Sequence, residues 1–304
     1  MRIIRGLHNL SKLNGCVVTV GNFDGVHLGH QKVILGALEK AKSLGVPLVV
    51  ISFLPTPQAF FNKTKPSLSS FKEKHFMLDK LGVDIHLVIN FNANFSETDA
   101  ETFVREVLVT KLNMKHCIIG DDFRFGKNRD GDFSMLQGLS IESGFEVESS
   151  QSVLHHGDRI SSSIIRALLD DGDFAHAAEL LGREFSIEGK VVHGNKKGRT
   201  INFPTINIPI KRKISPVKGV FAVNIELKNG LFYGVCNVGK RPTVGGEKTL
   251  LEVYIFNFNE EVYGQHAKVI FKSKIRDEKR FDSFMDLKQQ IALDVKSAHA
   301  YFRL

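Results

Sequence analysis

The segment Gly21-Asn22-Phe23-Asp24-Gly25-Val26-His27-Leu28-Gly29-His30 constrains this chain more than any other. It follows a bare apolar run, Val17-Val18-Thr19-Val20, and precedes a stretch in which Ile34, Ala37, Leu38 and Ala41 share one helical face. Gly45 and Pro47 then stop the helix. A strand must therefore pass into a helix within these ten residues, with two imidazoles three apart at the helix mouth. The backbone N–H groups and the helix dipole converge there on anions, so a phosphate is the expected guest. Glycine lets the backbone approach that phosphate, and histidines can donate to its oxygens. Zinc is the rival occupant, but no third or fourth ligand lies nearby, and Cys16, Cys117 and Cys236 are scattered. The bland alternative is an ordinary strand-to-helix turn with two exposed histidines. The G-N-F-D-G lead-in at a strand end favours the phosphate.

The chain around this segment has two rhythms. In the first half, Val17–Val20, Leu48–Phe53, Ile85–Asn90, His116–Gly120 and Phe145–Glu148 read as strands, with helices expected at 28–44, 71–81 and 97–112. The last is expected to start at Ser96 with Asp99 three residues on, as a capping box, and to carry Phe103, Val104, Val107 and Leu108 on one face. Strand–helix–strand order with short connections implies a doubly wound parallel sheet, whose ligands bind outside the carboxyl ends of the strands. Helices at 161–170 and 173–182 follow. After about residue 182 the period becomes two: Phe221, Val223, Ile225 and Leu227 alternate with polar residues, and Asn229-Gly230 supplies a hairpin turn into Leu231–Val238. Further strands are expected at 185–193, 250–258 and 266–275. A terminal helix capped by Ser283 should turn Phe284, Leu287, Ile291 and Val295 inward. Short antiparallel strands with one helix suggest a small closed barrel. No internal repeat or low-complexity tract interrupts the pattern.

A length of 304 residues accommodates about two such domains, each with its own core. No apolar run approaches the roughly 18 residues of a membrane span, and Met1-Arg2-Ile3-Ile4-Arg5 lacks a signal-peptide core. Three unpaired cysteines fit a reducing cytoplasm. The formal charge of +8 points to anionic ligands, which a nucleic acid or a nucleotide would satisfy equally. A stripe of surface aromatics among basic residues, expected of an RNA binder, is not evident, so no nucleic-acid partner is expected.

Four further clusters carry chemistry. Gly120-Asp121-Asp122-Phe123-Arg124-Phe125-Gly126 places Asp122, Arg124 and two aromatics at the ligand edge, or else forms a polar loop with a packed phenylalanine. Arg159-Ile160-Ser161-Ser162-Ser163-Ile164-Ile165-Arg166 offers hydroxyls at a helix start between two guanidinium forks, which suit phosphate as well as a simple cap does. Gly194-Asn195-Lys196-Lys197-Gly198-Arg199 is a basic loop able to cover phosphates and leads into Asn202-Phe203-Pro204-Thr205-Ile206-Asn207. Thr205 and Asn207 are two apart, so their oxygens share one side of an extended chain, as Mg²⁺ held mainly by nucleotide phosphates would need, or as a solvated strand face would show. Glu252, within an apolar strand, either faces the surface or points into the barrel as a base.

Together these segments resemble, over nearly the whole length, the bifunctional prokaryotic riboflavin kinase/FMN adenylyltransferase family. The matching stretches are GNFDGVHLGH at 21–30, GDDFRFG at 120–126, RISSSIIR at 159–166, GNKKGRTINFPTIN at 194–207, the Glu252 strand and IRDEKRF at 275–281. The resemblance implies an α/β-plus-β chain, with a Rossmann-like nucleotidyltransferase sheet at 1–182 and a Greek-key riboflavin-kinase barrel with a C-terminal helix at 183–304. His27 and His30 match the H-x-G-H signature that binds ATP phosphates. Gly21, Asn22, Phe23, Asp24, Gly25, Asp122, Arg124, Arg159, Ser162, Ser163 and Arg166 fall on positions tied to ATP or flavin nucleotide. In the second half the same applies to Gly194, Lys196, Gly198, Arg199, Pro204 and Arg276. Thr205 and Asn207 match the P-T-x-N motif that holds Mg-ATP, and Glu252 matches the catalytic glutamate.

The implied function is two-step FAD synthesis from riboflavin, with ATP, riboflavin and FMN as partners, Mg²⁺ accompanying ATP, and flavins as substrates and products. The family usually has an acidic residue where Leu54 stands and a histidine where Thr56 stands; Ser163 replaces a threonine and Asn202 a glycine. A kinase-only member and a non-catalytic flavin or nucleotide sensor are the alternatives. An oligomer is compatible with the sequence, but no feature specifies one.

Overall fold

A computed structural model describes residues 1–155, 157–194, 203–243 and 246–304 of the chain. By packing it divides into two units, Met1–Lys65 with Phe71–Ser161, and Pro66–Ser70 with Ser162–Leu304. The expected residues Lys196, Gly198, Arg199 and Asn202 lie outside the described residues.

The first unit is a parallel sheet of β1 (Arg2–Arg5), β2 (Cys16–Val20), β3 (Leu48–Leu54), β4 (Ile85–Asn90), β5 (Met114–Gly120) and β6 (Glu146–Ser150), in the order β1-β4-β3-β2-β5-β6. Burial explains its composition: every residue of β2 and all but the last of β4 are buried, as strands covered on both faces require. Helix α1 (Leu28–Leu44) turns Ile34, Ala37 and Ala41 onto one face, where Leu78 of α3 (Phe71–Lys80) joins them. Short α2 (Pro57–Phe60) lies between α1 and α3 in the chain. The opposite face is covered by Phe103, Val104, Val107 and Leu108, with Leu136 of α6 (Phe133–Ser143).

Here the expected helix 97–112 is corrected. Ser96 closes α4 (Ala93–Ser96) and donates to the Ala93 carbonyl at 2.7 Å. Asp99 is the cap instead: its carboxylate accepts the Thr102 amide at 2.8 Å and the Thr102 hydroxyl at 2.7 Å. The chain continues from α5 (Ala100–Thr102) into a π-helical stretch, Phe103–Lys111. A carboxylate at the N-terminus also gains from the helix dipole, which a serine hydroxyl does not.

Beyond the sheet, β7 (Leu154–His155) and β8 (Asp158–Arg159) form a small hairpin. The second unit opens with α7 (Ser162–Asp171) and α8 (Phe174–Leu181), whose Phe174 packs on Phe221 and Phe271 at 5.7 Å between centroids. Its sheet runs β10 (Thr205–Pro209), β13 (Gly246–Ile255), β12 (Gly230–Thr243), β11 (Gly219–Leu227), β14 (His266–Arg276), β9 (Ser186–Lys190), all antiparallel. The edges β9 and β10 approach each other, and the Val192 amide donates to the Asn207 carbonyl at 2.8 Å, so the barrel is nearly closed.

Alternation along these strands sorts two faces. Phe221, Val223, Leu251 and Val253 are fully buried and fill the interior. Val220, Ala222, Val235 and Tyr254 face the other way, where Val295, Ala298 and Phe302 of α9 (Phe284–Phe302) cover them. Ser283 caps α9 as expected, accepting the Asp286 amide at 3.1 Å. Phe284, expected inward, is 54% exposed, because at the first helical position it precedes the turn that reaches the sheet.

Candidate functional site

The switch in strand order falls at β2. The chain leaves β2 toward β3 and β4 on one side and returns to β5 on the other, so the loops after β2 and β5 flank a crevice of the kind that holds ligands in such sheets. The loop after β2 is residues 21–27. Phe23, Gly25 and Val26 adopt positive φ of 46°, 82° and 42° there. Phe23 is 4% exposed and belongs to the core against Val26 and Ile34. It was expected at the ligand; its ring instead wedges beneath His30 at 5.3 Å, because the left-handed turn folds it inward.

His27 is the N-cap of α1. Its Nδ1 accepts the His30 amide at 3.3 Å, and the neutral ring therefore carries its proton on Nε2. The two imidazoles stack 3.6 Å apart at 18°. Gly29 makes room for that stack: a Cβ there would sit 3.2 Å from the His27 ring. Gly21 admits the Phe23 ring in the same way. Asn22 donates to Gln58 Oε1 at 3.0 Å, and its carbonyl accepts from Lys74 Nζ at 2.6 Å. Lys74 was not among the expected site residues; no motif marks it, and only its burial in the fold does.

At the end of β3, Thr56 caps α2, its hydroxyl oxygen accepting the Ala59 amide at 3.3 Å, after a cis Leu54–Pro55 peptide. After β5, Arg159 binds Asp122 at 2.8 Å and Asp121 at 2.9 Å. The Ser152 hydroxyl and that guanidinium hold the Asp121 carboxyl below its ordinary pKa. Arg124, in contrast, pairs with Asp132, the cap of α6, at 2.7 Å. Ser162, Ser163 and Arg166 stand on α7 in the second unit, where Arg166 donates to the Pro66 carbonyl at 2.6 Å.

The second unit gathers the other group. Thr205 and Asn207 share one side of β10, and Asn207 lies directly opposite Glu252 on β13. Glu252 in turn lies opposite Asn237 on β12. Direct partners in an antiparallel ladder have Cβ atoms about 4.5–5.5 Å apart and point to the same face, so Asn207, Glu252 and Asn237 make one polar row. Glu252 does not point into the barrel, where Leu251 and Val253 already sit; it is half-buried on the face that α9 partly covers. Asn207 is 5% exposed, and Gly194 packs its backbone so closely on the Asn207 amide that no Cβ fits. Pro204, Thr205 and Ile206 border a cleft closed by Glu260, Glu261 and Tyr263, the last stacked on His193 at 3.8 Å.

Arg276, expected at the ligand, uses its fork within the protein. Nε and Nη2 donate to Asp294 at 2.8 and 2.7 Å, and Gln290 adds a third bond at 2.9 Å. Asp294 is 3% exposed, so this is a buried staple between β14 and α9, a pairing that sequence distance concealed. Among the described residues no helix is long and apolar enough to cross a membrane.

Known proteins reproduce this layout. The FAD synthetase family model matches residues 9–164 and the riboflavin kinase model residues 181–302. A bifunctional riboflavin kinase/FMN adenylyltransferase of Haemophilus influenzae is 47% identical, covering 99% of both chains. One from Escherichia coli K12 is 44% identical over 100% of this chain and 99% of its own. A solved structure from Streptococcus pneumoniae, described as a macrolide-efflux protein, superposes with a TM-score of 0.81 at 29% identity, covering 98% of this chain and 99% of its own. That name is the neighbour's; the likeness bears on architecture. With both halves matched in order and relatives matched end to end, the chain belongs to the family of bifunctional riboflavin kinase/FMN adenylyltransferases.

Proposed function

We propose that the family's two reactions are divided between residues 183–304, which phosphorylate riboflavin to FMN, and residues 1–182, which join FMN to AMP from ATP. The observation that carries the kinase half is the register of Asn207 with Glu252, which sets a carboxylate beside a hydroxyl and an amide on one face. Riboflavin's 5′-hydroxyl is a weak nucleophile. Glu252 accepts its proton as the oxygen bonds to the γ-phosphorus and ADP departs. Thr205 and Asn207 form a neutral, hard, all-oxygen pair on that face, which fits Mg²⁺ carried mainly by ATP. The ion, when bound, supplies charge neutralisation on the phosphates. Gly194, Lys196, Gly198, Arg199 and Pro204 complete the assignment as the cover and entry of the ATP site.

The adenylyl step needs no comparable base. A phosphomonoester with a second pKa near 6 is already largely dianionic at neutral pH. It attacks the α-phosphorus, and pyrophosphate leaves. His27, with Nδ1 accepting the His30 amide, carries its neutral-ring proton on Nε2, and His30 stacks beside it; the pair is assigned to the ATP phosphates. Gly21, Asn22, Asp24 and Gly25 bring backbone to the phosphates, while Asp122, Arg124, Arg159, Ser162, Ser163 and Arg166 are assigned to the nucleotides. Holding the reactants in line can supply about 7–11 kcal/mol, and donors to the developing charge add to it. A cytoplasmic setting is part of the same proposal.

Purified protein incubated with riboflavin, ATP and Mg²⁺ forms FMN first and FAD afterwards, followed by product separation over time. FMN accumulating without FAD would identify a kinase-only member, and binding without turnover a sensor. Glu252→Gln lowers FMN formation by about 10²–10⁴-fold and leaves FAD formation from supplied FMN unchanged. A near-native kinase rate in that variant removes Glu252 from the mechanism.

A further inference from the structure

Beneath the loop at 21–27 lies a charge that the proposed chemistry does not use. Lys74, on α3, is 7% exposed, and its ammonium donates to the Asn22 carbonyl at 2.6 Å. Burial pushes its pKa down, with the Asp24 carboxylate partly opposing that effect. A buried ammonium is expensive to desolvate, and a packed apolar side chain is often the more stable occupant of such a site. Position 74 lies one turn before Leu78, which is fully buried, so an apolar residue would continue the inner face of α3. Stability alone does not account for a lysine here.

The acceptor does. Asn22 immediately precedes Phe23, Gly25 and Val26, all held at positive φ. That region is uncommon for phenylalanine and a genuine outlier for a β-branched valine. Such backbone persists only where its surroundings over-determine it. Here both ends are tied from outside: Lys74 holds the Asn22 carbonyl, and Gln31 holds the Val26 carbonyl at 2.9 Å. The residue after Val26 is His27, whose cap and stack depend on where this turn delivers it.

We propose that Lys74 is a positioning residue for adenylyl transfer. Its buried ammonium clamps the loop in the left-handed turn that aims His27 and His30, and places a positive charge behind the phosphate site. This rests on the reading of those histidines as ATP contacts. The ammonium touches protein only, so its effect falls on how well the donors meet the departing pyrophosphate, an interaction realised in the transition state.

Lys74→Met tests this, because it keeps the length of the stem and removes the charge. The variant is expected to melt at or above the native temperature, since a desolvated charge is gone. In the same preparation, kcat for FAD formation from FMN and ATP falls at least tenfold, KM for ATP stays within threefold, and FMN formation from riboflavin is unchanged. A FAD rate within twofold of native overturns the proposal. So does a loss confined to KM for ATP, which marks a binding contact, and so does a parallel fall of melting temperature and FAD rate, which marks a structural prop. His30→Ala separates the two readings. If it makes FAD at the native rate, the histidine assignment fails; if it is inactive while Lys74→Met is native, the lysine proposal alone fails.

Discussion

A single hydrogen bond fixes much of what His27 can do. Because its Nδ1 accepts the His30 amide, the neutral ring carries its proton on Nε2, and the His30 ring stacks beside it. Replacing His30 with alanine removes one donor and the lid of that stack. FAD formation is expected to fall by about 10²–10³-fold, the cost of losing a donor to developing charge, with FMN formation intact; separate assays of the two products measure this. The pair was legible because H-x-G-H places donors where a helix begins. Lys74 was not, since a lone lysine in an amphipathic stretch carries no signal until the fold buries it. The contacts of Phe23 with His30 and of Arg276 with Asp294 were hidden for related reasons. A residue type tells what a side chain can bind, whereas backbone twist and distant partners decide what it meets. Glu252 was ambiguous because both faces of its strand are covered, the inner by Leu251 and Val253, the outer in part by α9.

Among elements, those with a long hydrophobic period were readable almost to their ends, as α1 was with Gly45 at its left-handed C-cap. Short edge strands such as β1 carry too few residues to declare a period. Helix α9 was found with its cap and with Val295 on its inward face, yet the burial of Asp294 beside it could not be read, because an acid carries no core signal. The Arg276–Asp294 pair is nearly buried, its side chains 15% and 4% exposed. Asp294→Ala leaves the guanidinium without its bidentate partner. The second unit is expected to lose about 3 kcal/mol, measured by denaturant unfolding, with α9 detaching from β14 before the barrel opens. Equal stability of the variant would show that the pair is solvated in practice.

At the scale of the whole molecule, alternation of strands and helices gave way to period-two strands where the architecture changes, so both fold classes were legible. The strand order was not, because parallel neighbours are chosen by crossover geometry and packing. One consequence is acid sensitivity in the first unit. His86 is fully buried between Ser52, whose Oγ lies 2.8 Å from Nε2, and His75, whose Nδ1 lies 3.1 Å from its own. Burial, then the charges of Lys74 and His75, push its pKa down to about 3. Unfolded, the ring takes a proton near 6.5; folded, it resists until about 3. The unfolded state therefore binds more protons across that window, and as the pH drops through it this site costs up to about 1.4 kcal/mol of stability per pH unit. His86→Phe is expected to flatten the slope between pH 6 and 4, read from melting temperatures against pH. An unchanged slope would assign acid lability elsewhere.

Ladders join every neighbouring pair of strands in the second unit's sheet, with register shifts between β11 and β14. Where β9 should meet β10, the described closure is a lone bridge at Val192 and Asn207, and Asn207 is also the residue set against Glu252. Among the described residues the cylinder thus closes by a single bridge, beside the row to which the kinase chemistry is assigned. A seam held by one bridge opens at lower free energy than the ladders beside it.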